Sequence, residues 1–296
     1  MKYITILSGK GGVGKSSISA SLAVMLSKNY KIVAADCDVD APNLALVLGV
    51  KKLKSKKDIS TNEKARLIFK KCISCKQCLN TCVFSAISWD KTENIPVFDR
   101  FLCEGCGNCA LVCPEKAIEL YKVKNATVSE SKTKYGFPIV IGQLKMGESG
   151  SGKIVTEVKD IAEQIGRKTN ADFIVVDAAP GIGCPVIASI RESDYVIAVT
   201  EPTPSGLADL KRVLRVVEHF KIQYALIINK YDINPKITKK IETFAKKKKI
   251  NIITKLPYDK AFVEALVNLT PIVEYDRRFE NQFEIIKKHI EALFYE

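Results

Sequence analysis

A glycine-rich segment between an apolar strand and an amphipathic helix constrains the fold of this chain more than any other feature. Residues 9–16 read GKGGVGKS, residues 3–7 before them are apolar and β-prone, and residues 16–28 carry apolar side chains at helical spacing. In this order of strand, loop and helix, backbone N–H groups surround phosphate groups and the helix dipole favours their negative charge. The sequence therefore predicts a phosphate-binding P-loop.

The side chains of this loop have separate expected roles. Lys15 supplies a cation to the β and γ phosphate oxygens, and the hydroxyl of Ser16 can ligate Mg²⁺. A P-loop needs only this one lysine for its own nucleotide, so Lys10 is a departure from the ordinary pattern. The residues expected to contact the nucleotide here are Gly11, Gly12, Val13, Gly14, Lys15, Ser16 and Ser17.

Apolar runs of strand length recur along the rest of the chain. They lie at residues 31–35, 173–176, 195–199, 224–228 and 250–253, and helical stretches such as residues 207–220 separate the later ones. Alternating strands and helices form parallel sheets covered by helices on their faces. The sequence therefore predicts an α/β fold, a mostly parallel Rossmann-like P-loop sheet flanked by helices.

Eight of the ten cysteines form two groups with the same C-x₂-C-x₂-C-x₃-C spacing. The groups are Cys72, Cys75, Cys78, Cys82 and Cys103, Cys106, Cys109, Cys113. We expect no secretion signal, because the first apolar run is too short, and clustered cysteines in an intracellular chain indicate metal binding rather than disulfides. The spacing is that of bacterial ferredoxins, which bind [4Fe–4S] clusters, whereas zinc sites use two pairs of ligands.

In ferredoxin runs of this kind the fourth cysteine ligates the other cluster. We therefore expect cluster I to be held by Cys72, Cys75, Cys78 and Cys113. Cluster II is then held by Cys82, Cys103, Cys106 and Cys109. Residues 72–87 and 103–118 superpose at a period of 31 residues. The first copy departs from the pattern at Val83, where a proline normally follows the fourth cysteine.

The cysteine-rich segment interrupts the strand and helix pattern, and the strands before and after it are expected to share one sheet. We therefore predict an inserted α+β ferredoxin-like 2[4Fe–4S] domain at residues 63–123. It divides the P-loop domain into residues 1–62 and 124–296.

The complete arrangement resembles the MinD superfamily of P-loop ATPases, of the SIMIBI class and MinD/Mrp type, with an inserted ferredoxin domain. In that class the first lysine of the loop reaches the phosphates bound by a partner subunit. The resemblance therefore implies that Lys10 acts in catalysis beside Lys15. It also implies a homodimer, or a heterodimer with a paralogue, that forms on ATP binding.

Two further segments match the switch motifs of this class. Residues 36–43, DCDVDAPN, resemble switch I, which implies that Asp38 orients the attacking water and that Asp36 lies near Mg²⁺. Residues 173–181, FIVVDAAPG, resemble Walker B with switch II. By this resemblance Asp177 holds a water on Mg²⁺ and Gly181 senses the γ-phosphate.

Two later loops resemble the base-binding loops of the class. Asn229 begins the segment NKYD, which read literally as NKxD indicates guanine, but the class reads adenine with this asparagine. The resemblance therefore favours ATP. Pro257, Tyr258 and Asp259 match a loop that closes over the base in relatives.

Together these motifs predict an ATP- and Mg²⁺-dependent hydrolase whose nucleotide state gates electron transfer from two [4Fe–4S] clusters to a redox partner. The alternative is an iron–sulfur carrier, assembly or metallocofactor maturation ATPase of the Mrp kind, in which the clusters are cargo for an apo-protein. A third interpretation is a MinD-like positioning ATPase with a redox sensor.

The formal net charge of +13 arises partly from lysine runs at residues 51–57 and 246–249. These runs are not interleaved with aromatic side chains, so we expect no nucleic-acid partner. We also expect a cytoplasmic protein without membrane insertion. The apolar face of residues 277–296 is predicted to pack on the core, and Cys37 and Cys184 are predicted to be buried structural thiols. That apolar face consists of Phe279, Phe283, Ile286, Ile290 and Leu293.

Overall fold

The computed structural model describes residues 1–295, which form two compact units. The first unit comprises Met1–Lys56, Val128–Gln143 and the chain from Ser151 onward. The second comprises Lys57–Thr127 and Leu144–Gly150. The inserted domain predicted at residues 63–123 falls in the sequence range of the second unit, and its boundaries stay a prediction.

The chain forms thirteen strands among the described residues. They are β1 (Lys2–Ser8), β2 (Ile32–Cys37), β3 (Ser55–Ile59), β4 (Asn62–Leu67), β5 (Ile87–Asp90), β6 (Ile95–Phe98), β7 (Ile118–Val123), β8 (Ala126–Lys132), β9 (Pro138–Leu144), β10 (Phe173–Pro180), β11 (Tyr195–Thr200), β12 (Gln223–Asn229) and β13 (Ile252–Leu256).

Eleven α-helices accompany them over the same part of the chain. They are α1 (Lys15–Ser27), α2 (Leu44–Val47), α3 (Gln77–Thr81), α4 (Asn108–Leu111), α5 (Ser151–Thr169), α6 (Cys184–Ile190), α7 (Pro204–His219), α8 (Pro235–Lys248), α9 (Ala261–Val267), α10 (Ile272–Tyr275) and α11 (Glu280–Tyr295). Short 3₁₀ turns lie at Phe69–Lys71 and Arg277–Phe279.

The largest sheet has the strand order β13-β12-β11-β1-β10-β2-β9-β8-β3. The seven strands from β13 to β9 pair in parallel. Their central members are apolar along almost their whole length, as is usual for strands covered on both faces. The predicted α/β fold with a mostly parallel, helix-flanked sheet is confirmed.

Helices cover both faces of the parallel strands. Apolar side chains of α1, α9, α10 and α11 form a core against one face, and those of α6, α7 and α8 form a core against the other. The predicted apolar face of α11 and the turn before it packs into the first core through Phe279, Phe283, Ile286 and Ile290. Leu293 is the exception, since 37% of it is exposed.

The second unit contains two small antiparallel sheets, β4 with β7 and β5 with β6. Its core combines Ala65, Ala86, Ile87 and Ile118 with three of the cysteines. The sequence pattern did not predict β3 and β4, because these segments, SKKDI and NEKARL, are mostly polar and lack a clear alternation of apolar residues.

The three strands at the centre of the parallel sheet bring the switch motifs together. β10 lies between β1 and β2, and Asp177 of β10 is in register with both Ile6 and Asp36. Ligands of open parallel sheets bind at the carboxyl ends of the strands. The P-loop and both acidic motifs therefore meet at one edge of the sheet.

Candidate functional site

The P-loop joins β1 to α1 at this edge. Gly12 and Gly14 have φ angles of 79° and 90°, which glycine adopts without the steric penalty of a Cβ atom. A Cβ atom on Gly14 would also overlap the side-chain amide of Asn229. The loop conformation thus requires glycine at Gly14 for two separate reasons.

Lys15 is buried in the site, with 6% of its side chain exposed. Its Nζ lies 2.8 Å from Oδ1 of Asp177 and 4.0 Å from Oδ2 of Asp38. The hydroxyl of Ser19 donates a second hydrogen bond to Oδ1 of Asp177, at 2.6 Å. Oδ2 of Asp177 is buried and makes no hydrogen bond among the described residues. One carboxylate oxygen is therefore left for a further ligand.

Asp36 and Asp177 are adjacent buried carboxylates on neighbouring strands. Burial raises the pKa of Asp36, and the charge of Asp177 raises it further. Two backbone N–H groups, of Leu44 and Asp38, donate to the Asp36 carboxylate at 2.8 and 3.3 Å. The Asp36 carboxylate therefore holds the backbone of switch I, and its predicted position near Mg²⁺ stays a prediction.

Asp38, also in switch I, is more accessible than Asp36. Burial is the main cause that raises its pKa, although Lys15 opposes the shift. A carboxylate with a raised pKa is a better proton acceptor near neutral pH. The role of Asp38 in orienting the attacking water stays a prediction.

A cavity of about 330 Å³ opens at the P-loop. It brings together most of the predicted phosphate-site residues. Val13 is buried, while Gly181, Asn229, Pro257, Tyr258 and Asp259 lie outside the lining. Asn43, Val47 and Leu266 line it without having been predicted. The full lining is Ser8, Gly11, Gly12, Gly14, Lys15, Ser16, Ser17, Asp38, Asn43, Val47, Pro180 and Leu266.

Lys10 is held within its own chain by Glu201, which follows β11. The Lys10 Nζ lies 3.1 Å from Glu201 Oε1, and Lys230 Nζ lies 2.9 Å from Glu201 Oε2. Lys230 also donates to the carbonyl of Gly12 at 3.0 Å. Burial alone raises the pKa of Glu201, but hydrogen bonds from Lys230 and Lys10 outweigh it and lower the pKa overall. Sequence reasoning missed Glu201.

The residues predicted to contact the base or the γ-phosphate make hydrogen bonds within the chain. Nδ2 of Asn229 donates to the carbonyl of Val13 at 2.8 Å, so this amide fastens the P-loop in the structure. Pro257, Tyr258 and Asp259 follow β13, where the Tyr258 N–H donates to Asp232 at 2.7 Å. The backbone N–H of Gly181 donates to the carbonyl of Ser8 at 2.9 Å. Contact of these residues with a base or γ-phosphate stays a prediction.

The second unit arranges the eight clustered cysteines around two cavities. One is lined by Cys72, Cys75, Cys78 and Cys113. The other is lined by Cys82, Cys103, Cys106 and Cys109. These sets, called quartet I and quartet II below, have the membership expected of clusters I and II. Among residues 1–295, no three His, Cys, Asp or Glu side chains are close enough to hold a single metal ion.

The two cysteine loops also repeat in backbone conformation. Positive φ angles occur at Ser74, Lys76 and Ser85 in the first copy, and at Gly105, Gly107 and Lys116 in the second. Each pair is separated by 31 residues, the period of the sequence repeat. The two loops therefore present their cysteines in the same way.

Backbone N–H groups point at several of the sulfur atoms. The N–H of Ala86 donates to Sγ of Cys82 at 3.3 Å, and that of Ala117 donates to Sγ of Cys113 at 3.2 Å. Burial raises the pKa of Cys109 to about 11. A thiol with a raised pKa ionises at neutral pH when a bound cation stabilises the thiolate.

The two remaining cysteines differ in exposure. Cys37 is buried, as predicted, and burial raises the pKa of its thiol. The prediction that Cys184 is buried is wrong, because this residue is exposed at the first position of α6. The turn before it, Gly181 to Gly183, leaves the helix start at the surface. Within the described chain, no helix is both long and apolar enough to cross a membrane.

The P-loop, the acidic strand ends and the parallel sheet define a nucleotide-binding protein of the P-loop class. A family model for the CobQ/CobB/MinD/ParA nucleotide binding domain matches residues 4–272. The chain belongs to this family.

Related sequences include proteins with and without an assigned role. The chain is 42% identical over 231 residues to the uncharacterized protein MJ0578 of Methanocaldococcus jannaschii, covering 78% of this chain and 79% of that protein. It is 25% identical over 289 residues to the iron-sulfur cluster carrier protein of Pyrococcus abyssi, covering 93% of this chain and 80% of the carrier.

Solved structures share the fold at lower identity. The cell division ATPase MinD of Pyrococcus furiosus superposes with a TM-score of 0.60 at 19% identity, covering 99% of both chains. MinD of Pyrococcus horikoshii, complexed with Mg-ADP, superposes with a TM-score of 0.57 at 19% identity, covering 99% of this chain and 96% of the other. These similarities establish a MinD-like fold.

Proposed function

We propose that this protein is an ATPase whose nucleotide-dependent dimerisation gates electron transfer from two [4Fe–4S] clusters to a redox partner. The observation that carries the proposal is the presence, in one chain, of a P-loop site and of two cysteine quartets that each surround a cavity. ATP is the nucleotide, and the chain acts in the cytoplasm without nucleic acid or membrane insertion.

The nucleotide site supplies the groups that phosphoryl transfer needs. Lys15 leaves its ion pair with Asp177 and binds the β and γ phosphate oxygens. There its charge stabilises the negative charge of the phosphoryl group during transfer. Asp38 orients the attacking water, and Gly181 senses the γ-phosphate. Asn229 keeps the loop in shape, and it reads adenine together with the loop at Pro257, Tyr258 and Asp259.

The acidic residues fit a magnesium ion beside the phosphates. Oδ2 of Asp177 is buried and makes no hydrogen bond among the described residues, and Ser16 lines the P-loop cavity. When bound, Mg²⁺ neutralises charge on the phosphate oxygens. Ser16 and Asp177 hold it, with Asp36 behind them shaping the loop.

Lys10 completes the site of a partner subunit, either a second copy of the chain or a paralogue. In the structure its ammonium group is paired with Glu201. Dimer formation transfers this cation from Glu201 to the partner's phosphates, where it stabilises the negative charge that develops during hydrolysis. Glu201 stays neutralised by Lys230 after the transfer.

The second unit fits two iron–sulfur clusters, as an inserted ferredoxin-like domain at residues 63–123. Each quartet provides four thiols around one cavity, and backbone N–H groups donate to sulfur atoms, as the thiolates of such clusters require. When bound, the clusters supply one-electron transfer. Cys72, Cys75, Cys78 and Cys113 hold cluster I, and Cys82, Cys103, Cys106 and Cys109 hold cluster II.

Nucleotide control follows from the order of the chain. The second unit begins at Lys57, shortly after the switch I segment that carries Asp36 and Asp38. A switch loop that rearranges with the γ-phosphate can therefore alter how the cluster-bearing unit meets its redox partner.

The test compares electron transfer in different nucleotide states. Anaerobic protein reduced with dithionite and freed of the reductant is mixed with an oxidised low-potential acceptor, with MgATP, with MgADP or without nucleotide. We expect MgATP to change the transfer rate at least about tenfold. Lys10→Ala should abolish the difference, and Lys236→Ala, an exposed lysine on α8, should keep it. Equal rates in all nucleotide states would refute gating.

A second candidate function is an iron–sulfur carrier of the Mrp kind, favoured by the similarity to the Pyrococcus abyssi carrier protein. In a carrier the clusters leave the chain, whereas a cluster held by four thiolates of one chain is retained. MgATP-stimulated loss of iron to an apo-ferredoxin, measured after separating the two proteins, would support the carrier. Retention of iron through many rounds of ATP hydrolysis would support electron transfer.

A further inference from the structure

A buried lysine lies against quartet II of the second unit. Lys64, in β4, has only 1% of its surface exposed. Its ammonium group donates to the carbonyl oxygen of Cys103 at 2.7 Å. Burying an ammonium group costs several kcal/mol unless partners compensate, so the fold tolerates this lysine only because it is held on more than one side.

Lys64 and its ion-pair partners carry more positive than negative charge. Glu148 Oε2 lies 3.6 Å from Nζ of Lys64, and it makes no hydrogen bond among the described residues. Glu148 Oε1 is also bound by Arg100, at 2.8 Å. Two cations thus share one carboxylate, and the buried cation faces the peptide of a quartet II cysteine.

Among residues 1–295, quartet I has no equivalent buried lysine. The other buried lysines among residues 1–295 are Lys15, Lys159 and Lys287, and all belong to the first unit. The lysine that lines the quartet I cavity is Lys76, which is exposed and lies 5.1 Å from the ring centroid of Trp89. Water screens such a charge far more than it screens a buried one.

The strand that carries Lys64 lies directly on the quartet II loop. The N–H of Ala65 donates to Sγ of Cys103 at 3.5 Å. A Cβ atom on Gly105 would overlap the carbonyl oxygen of Glu63, whereas the equivalent position of the first loop, 31 residues earlier, holds Ser74. The two loops share a conformation but differ in what packs against them.

We propose that Lys64 raises the reduction potential of the cluster held by quartet II above that of the cluster held by quartet I, with Glu148 limiting the effect. The inference rests on the proposed function. Reduction adds one negative charge to an assembly of cluster and thiolates that is already negative, and a nearby buried cation stabilises that charge. An electron entering the unit therefore resides mainly at quartet II.

The experiment is a redox titration of the anaerobic, full-length holo-protein with dithionite as the electron source, followed by electron paramagnetic resonance. Lys64→Met removes the charge and keeps an apolar side chain of similar length, while Arg100 still pairs with Glu148. We expect one of the two reduction steps to move to lower potential. At a fixed potential, the ratio of reduced to oxidised cluster should fall at least tenfold, which is about 59 mV for one electron.

Two further variants test whether the sign of the shift in reduction potential follows the charge. Glu148→Gln removes the opposing charge, so the same step should move to higher potential, and Lys64→Arg keeps the charge and should stay near the wild-type value. Lys76→Met is the control beside quartet I. It should shift the potential of either reduction step by less than the shift that Lys64→Met causes.

The possible failures are distinguishable. Two clusters with unshifted potentials in both Lys64→Met and Glu148→Gln would overturn the role of Lys64 and leave the proposed function standing. Shifts of the same sign in both variants would also overturn it, because structural disturbance rather than charge would then be the cause. Wild-type protein without iron–sulfur signals would overturn both proposals.

Discussion

Individual side chains at the P-loop are arranged so that each cation has a carboxylate to bind when no phosphate is present. Lys15 pairs with Asp177 at 2.8 Å, and Lys10 pairs with Glu201 at 3.1 Å. Such pairs offset the cost of placing charged groups in a partly buried site. They also make nucleotide binding an exchange of partners, in which phosphate oxygens replace carboxylates.

The Glu201 contacts predict a pH-dependent contribution to stability. Because the folded-state pKa of Glu201 is lowered from 4.5, its contribution is present above that ordinary value and is lost as the pH falls through the folded-state pKa. We expect Glu201→Gln to lower the free energy of unfolding by about 1 kcal/mol at pH 7. The difference from wild type should vanish below the folded-state pKa of Glu201.

Urea unfolding of the nucleotide-free protein at several pH values measures this difference. Glu218→Gln is the matched control, since Glu218 pairs with Lys248 at 3.4 Å on a more exposed surface and should change stability little. An unfolding difference for Glu201→Gln that persists unchanged at low pH would contradict the ion-pair interpretation.

Where a motif fixes both the residue type and its neighbours, the sequence indicates where a side chain lies in the fold, and the role of that side chain stays a prediction. Lys15, Asp38 and Asp177 do meet at one edge of the sheet, because each ends or follows an apolar strand. Glu201 and Lys64 could not be predicted in the same way. Each acquires its importance from a partner distant in sequence, and Lys64 is one of many lysines in a chain with a net charge of +13.

Among the structural elements, the two cysteine loops are alike in backbone and different in surroundings. Gly105 has a φ angle of 67°, and Ser74 at the equivalent position has one of 59°. A left-handed conformation alone therefore does not demand glycine here. The close approach of the Glu63 carbonyl does, because it leaves no room for a Cβ atom.

Gly105→Ala is accordingly expected to damage quartet II and spare quartet I. Reconstituted protein should lose about half of its iron, since the displaced loop carries Cys103 and Cys106 and cannot hold its cluster. Gly107→Ala is the matched control: its φ angle is also positive, but its Cβ would only touch Leu120 at 3.4 Å. Equal iron contents in the two variants would contradict the crowding argument.

Helix α11 closes one core of the first unit, and its two ends differ in burial. Phe283 is fully buried, whereas 37% of Leu293 is exposed. Removing a buried aromatic side chain costs about 3–5 kcal/mol through lost burial and the cavity that remains. Phe283→Ala should therefore lower the free energy of unfolding by about that amount, as measured by urea unfolding and circular dichroism.

Leu293→Ala, on the same helix, is the control for that measurement. It should cost no more than about 1 kcal/mol, because much of the side chain already contacts water. Similar losses in both variants would mean that α11 is not anchored through its predicted apolar face.

The sequence predicted strands reliably when they are covered on both faces by helices. β1, β10 and β11 read as continuous apolar runs, and their predicted ranges agree with the structure to within a few residues. β3 (Ser55–Ile59) and β4 (Asn62–Leu67) were missed, because mostly polar segments without an alternation of apolar residues resemble loops in sequence. β4, which carries Lys64 beside quartet II, is one of the strands that the sequence did not predict.

At the scale of the whole molecule, the net positive charge of the chain is opposite in sign to the clusters and the nucleotide that it is proposed to bind. Two clusters, each adding about −2 with its four thiolates, would reduce the formal charge of +13 to about +9. ATP and its phosphates bring further negative charge. The basic composition is thus partly a complement to the groups that this chain is proposed to bind.

The presence of two clusters in the chain that holds the P-loop is best tested by counting iron and acid-labile sulfide. Protein isolated or reconstituted without oxygen should contain about eight of each per chain. Replacing Cys75 and Cys78 by serine should leave about four. Fewer than about two irons in the wild type, or zinc in place of iron, would contradict the proposal that this ATPase-family protein works through iron–sulfur clusters.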